Sequence, residues 1–188
     1  MDKRLAKEIR NGHYEESEGG VLLPRAQVRL HGVFEHDVRR NGVLLGAQRD
    51  PNIVVNEGLD YVLNVAYRNQ AALANWYIGI FKGNYTPVAG DTAANIASNS
   101  TEASDYDEGT RQAWTIVAPA SQQLTNTASK ATFTINASIT AYGAFLISDS
   151  AKQGTAGTLN SASRFAASRS LVATDELLIT YTLTASDV

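Results

Sequence analysis

The chain has 188 residues, with 16 lysines and arginines against 19 aspartates and glutamates, three histidines, no cysteine and a net charge of −3. That length fits one domain whose core is large enough to fold without a metal or disulfide, and the missing thiols exclude disulfide frameworks, thiolate zinc sites and cysteine nucleophiles. The acidic balance (pI about 5.6) argues against general nucleic-acid binding, and no apolar run nears the roughly 20 residues that span a bilayer.

Residues 1–20, MDKRLAKEIRNGHYEESEGG, are too charged for a signal peptide and lack its apolar stretch. The protein is therefore expected to be made in a cytoplasm and used where it folds. The segment reads as an N-terminal arm. In KRLAKEIR, Leu5 and Ile9 lie one helical turn apart, with Lys3, Arg4, Lys7 and Arg10 around them. So short a helix is marginal alone, and Gly19-Gly20 reads as a flexible joint. The arm is either a frayed tail or a segment that orders only against a neighbouring subunit, and in the second case these six residues are candidate partner contacts.

From Val21 the pattern is of period two, as in a half-buried strand, with Val28, Leu30 and Val33 or Phe34 as apolar positions. Asn41-Gly42 is a strong hairpin signal, because both residues tolerate positive φ; residues 26–40 and 43–55 are expected to pair. At NIVVNEGLDYVLNVAY, residues 52–67, the strand period gives way to a helix of about 57–67. Asn56 reads as its N-cap, and Glu57 sits where the helix dipole favours a carboxylate. Leu59, Val62, Leu63 and Ala66 define the expected buried face. Gly58 costs about 1 kcal/mol of helix propensity relative to Ala, which implies close packing against it or a turn that needs it.

The aromatic strand WYIGIF follows, and residues 84–110 then read as a long polar surface loop whose acidic patch, Asp105, Asp107 and Glu108, is a further candidate partner contact. Strands resume at 111–117, 131–139, 141–148, 163–172 and 176–184, with threonines alternating with Phe133, Ile135, Ile179, Tyr181 and Leu183. From residue 85 onward Ala, Ser and Thr make up about half of the chain. The whole predicts a mainly β protein: an antiparallel β-sandwich, jelly-roll or Ig-like, over 21–188, with one short α-helix and an extended arm over 1–20.

Chemistry is sparse. His13, His31 and His36 all lie in the arm or first strand, and no Gly-x-Ser-x-Gly elbow accompanies them; exposed strand residues are the simpler expectation. His31 and His36, five apart, should point to opposite faces, which suits a shared metal poorly. SDYDEG begins like a calcium loop but has Gly109 and Ile116 where ligands five and twelve belong. Glu57 at the helix start would repel a phosphate. Trp76 and Trp114 fit the core or a subunit interface better than a carbohydrate-stacking platform. No enzyme activity, cofactor or metal is expected.

NIVVNEGLDYVLNVAY, WYIGIF, YDEGTRQAWTI, ATFTINASITAYGAFLIS and LLITYTLTAS, taken in this order over about residues 40–188, resemble a family of small virion proteins of tailed bacteriophages. The resemblance implies a non-enzymatic particle component, most directly a capsid decoration (cement) protein on the outside of the shell, assembled in the host cytoplasm. Its partners would be the major capsid protein and itself, as a homo-oligomer with a trimer favoured, and neither a membrane nor nucleic acid. A head–tail connector or tail protein is the alternative, and a carbohydrate-binding module a more distant one.

Overall fold

The computed structural model of the protein describes residues 14–24 and 28–187; Lys3, Arg4, Leu5, Lys7, Ile9 and Arg10 lie outside that range. Two short strands come first, β1 (Tyr14–Glu16) and β2 (Leu22–Pro24), and among the described residues they pair with each other alone. The chain between them turns tightly: Ser17 N–H donates to Val21 O, and Gly20 takes φ 73°. Gly19-Gly20 is thus a hairpin turn rather than a flexible joint, and the arm boundary expected at residue 20 runs through it.

β3 (Val28–Arg40) and β4 (Val43–Pro51) form the long hairpin. Asn41 and Gly42 turn it with φ 50° and 77°, the double positive φ that an Asn-Gly turn requires. Gly32, Phe34, His36 and Val38 face inward along β3. Val28 is exposed and Leu30 and Val33 are half-buried, so Phe34 alone of the expected apolar set lies fully inside. Nor does the second strand run on to Val55. After Pro51 the chain changes sheets: Asn52 N–H still donates to Gly32 O on the first, while β5 (Ile53–Val54) pairs with Ser161 and Ala162 on the second.

The remaining elements are α1 (Asn56–Tyr67), β6 (Tyr77–Phe81), α2 (Ala93–Asn99), β7 (Gln112–Ala113), β8 (Gln123–Thr125), β9 (Ala131–Thr134), β10 (Ile139–Ile147), β11 (Leu159–Leu171) and β12 (Glu176–Asp187). One antiparallel sheet has the order β5-β11-β10-β6-β7; the other runs β4-β3-β12-β8, with β9 also on β12. The last two strands lie in different sheets, unlike the final pair of an immunoglobulin sandwich. The strand expected at 111–117 shrinks to Gln112–Ala113, because only Tyr77 and Ile78 pair with it.

Between the sheets lie Phe34, Ile78, Ile80, Phe133, Ile179 and Tyr181, all fully buried. The threonine alternation on β9 and β12 therefore does put Phe133, Leu177, Ile179 and Tyr181 on one face. Each such side chain contributes about 1.5–3 kcal/mol by leaving water, and Phe34 also stacks on Tyr181 at 4.3 Å. A second cluster, with Val55, Phe81, Ile96, Phe145 and Leu159, lies on the outer side of the β5-β11-β10-β6-β7 sheet.

That second cluster overturns the surface-loop reading of 84–110. Thr92 and Asn95 form a capping box, a reciprocal arrangement that satisfies the first amides of a helix. α2 then packs Ala93, Ile96 and Ala97 inward, and Asp91, Glu102, Ala103 and Tyr106 are buried as well. The segment is polar because its side chains bond one another, not because it is bathed in water.

Candidate functional site

The strand-to-helix joint shows how tightly the body is determined. Val55 is the N-cap of α1 and Asn56 its first residue, with no side-chain cap bond, so Asn56 is not the cap. The backbone itself pins the start: Val55 N–H donates to Asn160 O, and Asn56 N–H to Ala89 O. Gly58 is the close-packing position: a Cβ there would stand 2.4 Å from Asn160 O and 2.8 Å from its Cα. That approach sets the rotation of α1. Gly58 faces the sheet, Tyr61 and Val65 are half-buried, and Leu59, Val62, Leu63 and Ala66, expected inside, face solvent. Leu63 is 54% exposed and Tyr67 83%.

Glu57 does more than complement a dipole. Its Oε2 accepts from Ala93 N–H at 2.8 Å and from Leu159 N–H at 2.7 Å, tying the starts of α2 and β11 to α1. Other charges are committed in the same way. Glu102 and Arg111 form a fully buried two-pronged pair, and Arg111 also donates to Asp149 O and Gly154 O. Arg40 grips Asp175 at 2.7 and 2.9 Å, which holds that carboxyl below the usual range.

His36 is not an exposed strand residue. It is fully buried, stacked on Phe165 at 3.7 Å, while His31 lies half-buried on the opposite face of β3. Arg169 Nε–H donates to Nδ1 at 3.2 Å, so the ring proton sits on Nε2 and is given to Asp50 at 2.9 Å. Burial lowers the His36 pKa; the Asp50 bond opposes this and Arg169 adds to it. With both nitrogens engaged and no access to solvent, this group joins β3 and β4 to β11 across the sandwich. It is a tie. The sequence signal for it was weak: His36 falls at the inward parity of Phe34 and Val38.

The acidic trio does not form one patch. Asp105 pairs with Lys82 at 2.7 Å, and Glu108 accepts from the amide and hydroxyl of Thr134. Asp107 alone is exposed, in an open cavity of about 580 Å³ that it lines with Asn41, Gly42, Thr134, Thr174 and Glu176. Among the described residues no three or more His, Cys, Asp or Glu converge as a metal site. Trp114 is in the core, its indole donating to Tyr181 O at 3.0 Å, and Trp76 is half-buried and edge-on to Tyr61. Trp114, being buried, offers no stacking face.

Two surfaces therefore stand out, at opposite ends of the sandwich. One is the tip of the β3–β4 hairpin: Val43, Leu44 and Leu45 are all exposed on an edge strand, beside the cavity with Asp107 and Glu176. The other is the outer face of α1, whose apolar stripe borders an open cavity of about 480 Å³ lined by Glu57, Asp60, Tyr61, Asn64 and Asp91. Consecutive and helix-spaced apolar residues gave a signal for both; their exposure was not legible. No described helix is long and apolar enough to cross a membrane. No protein-family model matches the chain, and neither does any curated protein.

Proposed function

We propose that the protein is a structural component of a tailed-phage virion: a homo-oligomeric decoration protein that binds the outside of the major capsid shell and stabilises it, with assembly in the host cytoplasm. The observation that supports this best is the β3–β4 tip. β4 is the edge strand of its sheet and exposes Val43, Leu44 and Leu45 in a row. An open edge offers backbone donors and acceptors to a strand of another chain, and three aliphatic side chains add apolar area. The sandwich behind it is internally tied by Glu57, Glu102–Arg111 and His36–Asp50–Arg169, so little order has to be acquired on binding. Several such modest contacts on one oligomer sum to high avidity.

The test is co-sedimentation of the recombinant protein with expanded shells that lack it, followed by heating of the decorated and bare particles. Binding over the whole shell, a raised disruption temperature, and loss of both in a folded Leu44→Asp variant are expected. Binding confined to one vertex would instead favour the head–tail reading. No binding, or equal survival of bare and decorated particles, would remove the cement reading.

A further inference from the structure

The outer face of α1 is an unoccupied docking surface with a definite shape. Leu59, Val62, Leu63, Ala66 and Tyr67 recur at the spacing of one helix stripe and are all exposed, the pattern by which a helix normally seats itself on a core. Gly58, which flanks the stripe, prevents that here by holding the neighbouring side of α1 on Asn160. Asp60 lies at the border of the stripe, and both Asp60 and Glu57 line the adjoining cavity. Among the described residues no cation lines that cavity. An occupant should therefore be apolar along one side and basic around it.

One segment of the chain has that pattern. KRLAKEIR carries Leu5 and Ile9 at one-turn spacing with Lys3, Arg4, Lys7 and Arg10 beside them. The chain enters β3 at the end of the sandwich where α1 starts. β3 begins at Val28, opposite Asp187, away from the Asn41-Gly42 turn, and β5 hands over to α1 toward that same end. The β1–β2 hairpin that follows the segment does not add to its own sandwich. It pairs with neither five-stranded sheet, and Val21 and Leu23 are exposed. A lone two-stranded hairpin is at best marginal in water, so this one calls for a further surface to pack on.

From these observations we infer that the N-terminal arm of one copy docks on the α1 face of a second copy, Leu5 and Ile9 against the Leu59–Leu63–Tyr67 stripe and the basic residues against Asp60 and Glu57. The contact joins two different surfaces, so repeating it gives a closed ring where the rotation between copies closes and an open chain of copies where it does not. It leaves the β3–β4 tip free for a different partner, and it requires self-association only, not the virion reading.

Sedimentation velocity on the full chain tests it. Wild type should sediment as an oligomer at micromolar concentration. Leu63→Asp should fold with an unchanged circular dichroism spectrum while weakening association by roughly thirtyfold, as for a central interface residue. Lys7→Glu should weaken it less, and Asp60→Lys should restore part of that loss. Because the chain has no cysteine, Ile9→Cys chains mixed with Leu63→Cys chains can report the contact directly. A disulfide-linked heterodimer formed in preference to either homodimer is the expected product. A monomeric wild type, a Leu63→Asp variant that associates normally, or an Ile9→Cys/Leu63→Cys double variant that closes its disulfide within one chain would each overturn the inference. Shell binding by a monomer would overturn this inference and the homo-oligomeric part of the proposed function, and would leave its shell-binding part standing.

Discussion

The two helices make opposite use of their apolar residues. α1, with five apolar positions at helical spacing, turns them to water and seats itself through Gly58. α2, seven residues inside a polar stretch, buries Ala93, Ile96 and Ala97 and contributes to the second core cluster. Periodicity reports that a stripe exists; it does not report which surface covers it. A helix with a conspicuous stripe that is held down beside it leaves the stripe exposed, and a short capped helix with three buried small or aliphatic residues is a piece of core.

The strongest way to break this contrast is Ile96→Ala in α2. Removing a fully buried side chain should cost about 3–4 kcal/mol, read as a lowered denaturation midpoint. Gly58→Ala comes next. Its methyl would meet backbone atoms of Asn160, which cannot swing away as a side-chain tip can, so a loss of about 2–3 kcal/mol is expected. Glu57→Ala strips one acceptor from two backbone amides, Ala93 and Leu159, and should cost about 2 kcal/mol, more than a dipole term alone.

A control away from both helices uses His36. Burial holds its folded pKa below the ordinary histidine value of 6.5, so the unfolded chain takes up the proton first. Its stabilisation is complete above that value and is lost as pH falls toward the folded pKa. Thermal midpoints of His36→Gln should lack this part of the acid slope. The smallest effect is expected from Leu63→Asp: within about 0.5 kcal/mol on folding, as for a surface change, with its consequence confined to association. A large loss of stability there would mean that the stripe is core after all.

How far the sequence could be read depended on whether a residue's neighbours were local. The Asn41-Gly42 turn, the span of α1 and the Phe133–Ile179–Tyr181 face were legible, because turn chemistry and strand parity act within a few residues. The Asn56 cap was misassigned because Val55 is pinned by Asn160, more than a hundred residues away. The loop reading of 84–110 failed because distant chain encloses its polar residues: Glu102 is buried against Arg111, which the chain at Asp149 and Gly154 holds in turn. His36 looked solvated for the same reason, its partners being on β4 and β11.

By itself, then, the sequence determined a cysteine-free, mainly β chain with a tight hairpin, a short helix after a strand, and apolar residues at both 43–45 and 59–67. Only the tertiary structure decided which of those apolar residues are interior. The sheet change after Pro51 and the approach of Gly58 to Asn160 rotate α1 by long-range contact, and no local propensity encodes that rotation. Burial is a property of pairs of surfaces, and the second surface lies elsewhere in the chain.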